Sequence, residues 1–267
     1  MTLLFAIPVF LAGVLAGFVI NVIATRLAAN RPLLGPLHCT RSPHPLDGRQ
    51  VAPVIGYALQ RGRCSTCGKN ISVSYPLVEL AMGAIWAALF AVEGFGIAFV
   101  FHALYAAILM LVLVNDWKHR DIYVTVIALG SVVAIAGSLL VPGASLASAL
   151  IGAAVAGAFF ALAYLLAKLI FPRIEEPLGF GDILLALLMG LMLGWPNVVG
   201  ALLIGPLLAG AATVVLLVSR RRKLGDFIPY GVALCAAAIL FLIYPGPLAE
   251  ALNLTALPVV FSGFFGQ

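Results

Sequence analysis

Residues 96–120 read GIAFVFHALYAAILMLVLVNDWKHR. From Ile97 to Val114 only His102 and Tyr105 carry polar atoms, and then Asn115, Asp116, Lys118, His119 and Arg120 arrive together. At 1.5 Å per residue, an eighteen-residue helix is about 27 Å long, close to the ~30 Å hydrocarbon core of a bilayer. This stretch therefore predicts a membrane crossing that stops at a positively charged interface. The whole chain agrees: of 267 residues, 63% are hydrophobic and only 9% charged, and the mean hydropathy is +1.15. Soluble domains carry about 25% charged residues, so a cytosolic enzyme is excluded. A disordered chain is excluded too, because such chains are polar and highly charged.

Working outward from this run, the sequence offers eight apolar segments. They cover about 3–25, 75–93, 96–115, 122–141, 147–171, 183–195, 197–218 and 228–245. Val141-Pro142-Gly143, Trp195-Pro196-Asn197 and Tyr244-Pro245-Gly246 punctuate them as turns or stops. The first segment lacks a basic flank before it and runs on into Arg26, so it reads as a span and not as a cleaved signal peptide.

Lys and Arg collect in cytoplasmic loops because they resist translocation. Arg26, Arg31, Arg41, Arg49, Arg61, Arg63 and Lys69 follow the first segment, and Lys118 and Arg120 the third. Lys168 and Arg173 close the fifth, and Arg220, Arg221, Arg222 and Lys223 follow the seventh. These are all 15 cations, and they fall on alternate connections, while the opposite side holds only Glu93 and Glu250. The expected fold is an all-α polytopic membrane protein with eight transmembrane helices and both termini outside. A small cytoplasmic domain, residues 26–74, sits between helices 1 and 2. Residues 1–25 form the first helix, 75–248 a seven-helix membrane domain and 249–267 an external tail.

Ionisable groups at or inside a membrane are costly and mark functional sites by default. Asp116 ends the third segment and Asp182 opens the sixth, on the same face by the charge count. Each has an ordinary alternative, Asp116 as a solvated loop acid and Asp182 as a helix N-cap. The sixth segment has about 13 residues before Trp195-Pro196, or roughly 20 Å. If Trp195 marks the outer interface, Asp182 lies roughly 10 Å below the inner one. Two carboxyls brought together suit acid–base hydrolysis, one ionised and one protonated. A helix N-terminus favours an anion and a C-terminus disfavours it, which makes Asp182 the base and Asp116 the acid.

Gly179-Phe180-Gly181-Asp182 matches the GxGD motif of intramembrane aspartyl proteases, and with Asp116 at the end of an earlier span it resembles the bacterial prepilin leader peptidases. The run from Arg61 through Cys64-Ser65-Thr66-Cys67-Gly68 to Tyr75-Pro76-Leu77-Val78-Glu79-Leu80 resembles that family's N-terminal domain. Ile228-Pro229-Tyr230-Gly231 resembles another recurring family segment. The resemblance covers nearly the whole chain, in order. It implies Asp116 and Asp182 as the catalytic pair, with Gly179 and Gly181 shaping the turn that presents Asp182. It implies removal of the short basic leader of type 4 prepilins or type II secretion pseudopilins, cut after Gly at the cytoplasmic face. It further implies a multi-pass protein of the bacterial inner membrane with periplasmic termini. N-methylation of the new terminus with S-adenosyl-methionine is implied on the same ground alone.

The chain departs from the family twice. Ile122-Tyr123 stands where Ile-Pro or Leu-Pro is usual, which concerns loop geometry. Of two usual CxxC pairs the second is Cys64-Ser65-Thr66-Cys67, but the first reads Cys39-Thr40-Arg41-Ser42. A closed zinc centre needs four thiolate or imidazole ligands. Cys39, Cys64 and Cys67 supply three, and His44 is preferred over His38 as the fourth because residues adjacent in sequence ligate awkwardly. The alternative is a decayed site with ordinary thiols.

Glu79 is expected to pair with a loop arginine, and Cys235 to be a small hydrophobe. The resemblance implies a prepilin-like substrate as partner, the apolar segments imply the lipid bilayer, and no nucleic acid is expected, since the chain has no room to build a folded basic surface. A rival of another class is a transporter using Asp116 and Asp182 as proton or cation sites. It predicts inverted repeats, and none is evident. A scaffold with degenerate catalysis is the third reading.

Overall fold

The computed structural model describes residues 2–39, 42, 44–170, 172, 179–218 and 230–254. Arg41, Arg173, Arg220, Arg221, Arg222, Lys223, Ile228, Pro229 and tail residues 255–267, all used above, lie outside them. Among the described residues there is no β-strand, only helices and two isolated antiparallel bridges, His38 with Pro45 and Arg63 with Asn70. The helices are α1 Thr2–Ala28, α2 Gly48–Val51, α3 Ile55–Leu59, α4 Ser74–Glu93, α5 Ile97–His119 and α6 Val124–Leu140. They continue as α7 Leu146–Ile170, α8 Phe180–Leu193, α9 Asn197–Val218, α10 Tyr230–Ile243 and α11 Pro245–Ala251.

Each of the eight apolar segments carries a helix, but the helices are unequal. Five are long and apolar enough to cross a membrane: Phe5–Ala28, Ser74–Glu93, Ile97–His119, Leu146–Ile170 and Asn197–Val215. A sixth is added if α10 and α11, bent by 108° to each other, count as one crossing. Helices α6 and α8 are shorter. The chain is thus a multi-pass membrane protein. The side chains face the way a lipid solvent demands. On α7 the buried positions other than Phe160 are small, Ala149, Gly152, Ala153, Ala156 and Gly157, while Leu162, Leu165, Leu169 and Ile170 are exposed. Water gives no drive to bury leucine once lipid surrounds it, so helices meet through small residues that let backbones approach.

The chain divides into two compact units, residues 1–95 and 96–267. In the first, α1 packs along α4. Gly13 and Gly17 lie one turn apart on α1, and a Cβ at Gly17 would stand 2.6 Å from Glu79 Cα. That contact brings two main chains together and seats Glu79 against α1. Arg26, in the last turn of α1 and only 8% exposed, donates from its guanidinium to the carbonyls of Pro32, Gly35 and Pro36 at 2.6–3.1 Å. It turns the chain back over the helix end.

In the second unit α5 is well enclosed, with Tyr105, Leu109, Met110, Val112, Val114 and Asp116 all buried. It packs on α6 and α10, while α8 packs on α6, α7, α9 and α10. This arrangement brings the end of α5 and the starts of α8 and α10 to one place.

Candidate active site and metal cluster

Asp116 sits in the last turn of α5, 7% exposed. The helix stops just after it, where the Arg120 N–H donates to the Asp116 carbonyl at 3.0 Å from a left-handed C-cap. Asp182 is the third residue of α8, whose N-cap is Gly179. The Asp182 N–H donates to the Gly179 carbonyl at 3.1 Å, and its carboxylate folds back so that a Cβ on Gly179 would lie 3.3 Å from Oδ2. The two carboxyls are within electrostatic reach of each other. The structure therefore brings together the two acids singled out in the sequence, although 66 positions separate them.

Gly181 has a steric role. A Cβ there would stand 2.9 Å from Ile122 Cβ, an atom rooted at the backbone and unable to swing away. Ile122 belongs to the connection between α5 and α6, so the GxGD turn rests directly on the loop that follows Asp116. The second residue of the departure noted above, Tyr123, is the N-cap of α6 with φ −77°. That value lies within the range to which a proline ring would fix it. The loop keeps the backbone shape without the ring.

One element of the site escapes a search for polar side chains. The Val232 N–H donates to Asp116 Oδ2 at 3.0 Å, and a Cβ at Gly231 would sit 2.7 Å from that same oxygen. Asp116 thus rests on the N-terminus of α10. From the sequence only Asp182 was expected at such a terminus, and that expectation split the two into base and acid. Both have one, so helix dipoles no longer separate their roles. The segment Tyr230-Gly231 was legible as a motif, but its action through main-chain amides was not.

In the first unit, ligand atoms of Cys39, His44, Cys64 and Cys67 all lie within 4.8 Å of one another. His38 is not among them. Cys39 Sγ and Cys67 Sγ are 3.8 Å apart, and Cys64 Sγ is 3.6 Å from His44 Nε2. Zinc bonds of about 2.3 Å to sulfur and about 2.05 Å to nitrogen, set at tetrahedral angles, give edges of ~3.8 Å and ~3.6 Å. The donor set fits a closed tetrahedral centre. His44 Nδ1 lies 3.1 Å from the Pro45 carbonyl. That oxygen only accepts, so Nδ1 carries the proton and Nε2 is left free to ligate. Burial pushes the Cys64 thiol up, but main-chain amides of Cys67 and Thr66 outweigh it and leave the group below its ordinary value. Cys67 is lowered chiefly by the Lys69 amide.

Glu79 corrects an expectation. Among the described residues it pairs with no arginine. Its Oε2 accepts the Val54 N–H at 2.7 Å and its Oε1 accepts Asn21 Nδ2 at 3.4 Å. The nearest cation in sequence to Asn21, Arg26, is already committed to carbonyls of its own loop. Cys235 is fully buried, as a small hydrophobe would be.

Known proteins match these same two regions. A bacterial peptidase A24 N-terminal domain matches residues 11–92, and the type IV leader peptidase family matches residues 103–215. A prepilin leader peptidase/N-methyltransferase of Pseudomonas putida is 33% identical over 207 residues, covering 74% of this chain and 68% of that protein. The chain belongs to the type IV leader peptidase family. Proteins of the same name from Myxococcus xanthus (strain DK1622) and Bacillus subtilis (strain 168) are 28% and 25% identical, covering 82% and 88% of this chain. This leader peptidase family member spans 65% of the length of the Myxococcus protein and 92% of the Bacillus one. Against the Burkholderia pseudomallei relative it spans 66%, just under two thirds. No solved structure matches the chain. Both aspartates fall inside the peptidase match, and all four cluster residues inside the N-terminal one.

Proposed function

We propose that this chain is an aspartic endopeptidase that removes the leader of type 4 prepilins or type II secretion pseudopilins, with Asp116 and Asp182 as its catalytic pair. The observation that carries the reading is the meeting of these two acids, a buried one from the end of α5 and a half-buried one from the start of α8. The pair holds one proton between them and titrates as a unit. The ionised member takes a proton from water, whose oxygen attacks the scissile carbonyl carbon. The protonated member first polarises that carbonyl and then gives its proton to the leaving nitrogen as the C–N bond breaks. Val232 fixes Asp116 Oδ2 throughout, so the dyad needs little reorganisation.

The charge pattern supports eight spans in the bacterial inner membrane, both termini periplasmic, with α6, α8 and α10 as short crossings. Cleavage is then cytoplasmic, next to the Gly that precedes the cut bond. Residues 1–25, 26–74, 75–248 and 249–267 are the corresponding regions. Cys39, His44, Cys64 and Cys67 hold a structural zinc ion that ties the cytoplasmic loop together. The relatives' names support a second activity, N-methylation of the new terminus, for which S-adenosyl-methionine supplies the methyl group.

The test is co-expression with a prepilin bearing a basic leader. The expected result is a shortened product whose N-terminus is the residue after the Gly. A prepilin left at full length, in cells where the chain drives proton-coupled uptake, sinks the peptidase. Gly231→Ala should lower cleavage by about 10²-fold, the scale of a 1 Å misplacement at a reacting group, with an unchanged melting temperature. Cleavage at the wild-type rate would show that the α10 terminus does not hold Asp116 in its working position.

A further inference from the structure

Tyr230 opens α10, immediately before the two residues that rest on Asp116. Its phenol is within electrostatic reach of Asp182 at the start of α8. The ring is half-buried and leans on Phe160 of α7, with 6.0 Å between the ring centroids and 45° between their planes. Phe160 is itself 3% exposed, so the wall that holds the ring belongs to the packed interior. Helices α5, α7, α8 and α10 thus converge on the two acids and this phenol.

Packing accounts for the ring but not for the hydroxyl. A tyrosine set into a protein interior ordinarily finds a partner for its O–H. Tyr105 does so on α5, where its hydroxyl donates to the Ala134 carbonyl at 3.2 Å. The Tyr230 hydroxyl has no hydrogen-bond partner among the described residues. Phenylalanine would serve as well against Phe160. Beside the dyad there is therefore a spare donor, and a phenol keeps its proton at neutral pH.

The reaction has a place for such a donor. As the water oxygen adds to the scissile carbonyl carbon, negative charge develops on the carbonyl oxygen. The protonated acid covers that oxygen at first, but it then gives its proton to the leaving nitrogen. A second donor that keeps its own proton holds the oxygen while the C–N bond breaks. Preorganised donors act where charge develops, and removing one costs about 10²–10³ in kcat.

We infer that Tyr230 is a third catalytic residue, its hydroxyl donating to the oxygen of the scissile carbonyl as that oxygen becomes negative. The inference rests on the peptidase reading above. The phenol O–H bond stays intact throughout, so the proton count of the dyad is unchanged. Phe160 is a positioning residue that fixes the ring.

The test is steady-state cleavage of a prepilin by the full-length chain in detergent micelles, wild type against Tyr230→Phe. The variant retains the ring and its contact with Phe160, so the melting temperature should be unchanged. Its kcat should fall by about 10²-fold, with KM within about threefold of the wild-type value. Both limbs of the pH profile should keep their positions, because the shared proton stays with the two acids.

A second measurement needs no turnover. A prepilin peptide with a hydroxyethylene group in place of the scissile amide presents a tetrahedral carbon bearing an oxygen. It should bind Tyr230→Phe about tenfold more weakly than wild type, the scale of one lost hydrogen bond. The same peptide with a plain ethylene group there should bind both proteins alike. Equal binding of the hydroxyethylene peptide by the two proteins overturns the assignment and leaves the peptidase standing. So does a wild-type kcat in Tyr230→Phe, or a rise in KM with kcat unchanged. A displaced pH limb with kcat retained at its optimum overturns it as well, because Tyr230 would then serve Asp182 and not the substrate. A wild-type chain that cleaves no prepilin overturns the assignment and the peptidase reading together.

Discussion

Asp182→Asn is expected to reduce prepilin cleavage at least 10³-fold, equivalent to about 4 kcal/mol of transition-state stabilisation. The substitution keeps the size of the side chain and the start of α8, so circular dichroism and the melting temperature should stay where they are. Asp116→Asn should cost as much, because it breaks the same proton-sharing pair and weakens the acceptor for the Val232 amide. The double variant should be no slower than either single one, since groups that act as a unit lose their contribution once. Wild-type kcat/KM should follow a bell-shaped pH profile whose two limbs belong to the pair and not to either residue. A flat profile, or Asp182→Asn retaining a tenth of wild-type cleavage, would remove the dyad from the mechanism.

The second large effect concerns the metal. The chain purified under reducing conditions should carry about one zinc ion, and Cys64→Ser or Cys67→Ser should carry less than a tenth of that. Structural zinc contributes an apparent 10–16 kcal/mol in small zinc domains, so its loss should open residues 29–73 to proteases many times faster. His44 provides the sharper comparison. His44→Ala should empty the site and His38→Ala should not, while His44→Cys, which restores a four-thiolate set, should keep the metal. Retention of zinc in His44→Ala, or its absence from the wild-type chain, would count against the ligand set.

Much of this architecture was written in local sequence. Apolar segments long enough to read by eye became helices, because a lipid-solvated chain must satisfy its backbone internally. Asp116 and Asp182 stood out at the ends of apolar segments in a chain only 9% charged, and Cys64-Ser65-Thr66-Cys67 because a two-residue spacing suits one metal. What could not be read was contact through space. The hydrogen bond from Val232 to Asp116 joins residues 116 positions apart and leaves no periodicity. Glu79 was expected to meet an arginine on grounds of charge alone. Its partners depend on Gly17 letting α1 approach α4 closely enough for Asn21 to reach the carboxylate, and Arg26 had closer carbonyls to satisfy. The short α8 was legible from its boundary at Trp195-Pro196, yet only the folded chain shows Ile122 pressed against Gly181.

The support beneath Asp116 is a peptide group, and that decides which substitutions the site can tolerate. An amide hydrogen is offered by every residue except proline, so the position that supplies it can drift among valine, isoleucine, leucine or alanine without loss of its service. The constraint falls instead on the neighbour, Gly231, where a Cβ would stand 2.7 Å from the acid. A reader of motifs sees a glycine and takes it for a bend. What the glycine supplies there is empty space beside a carboxylate.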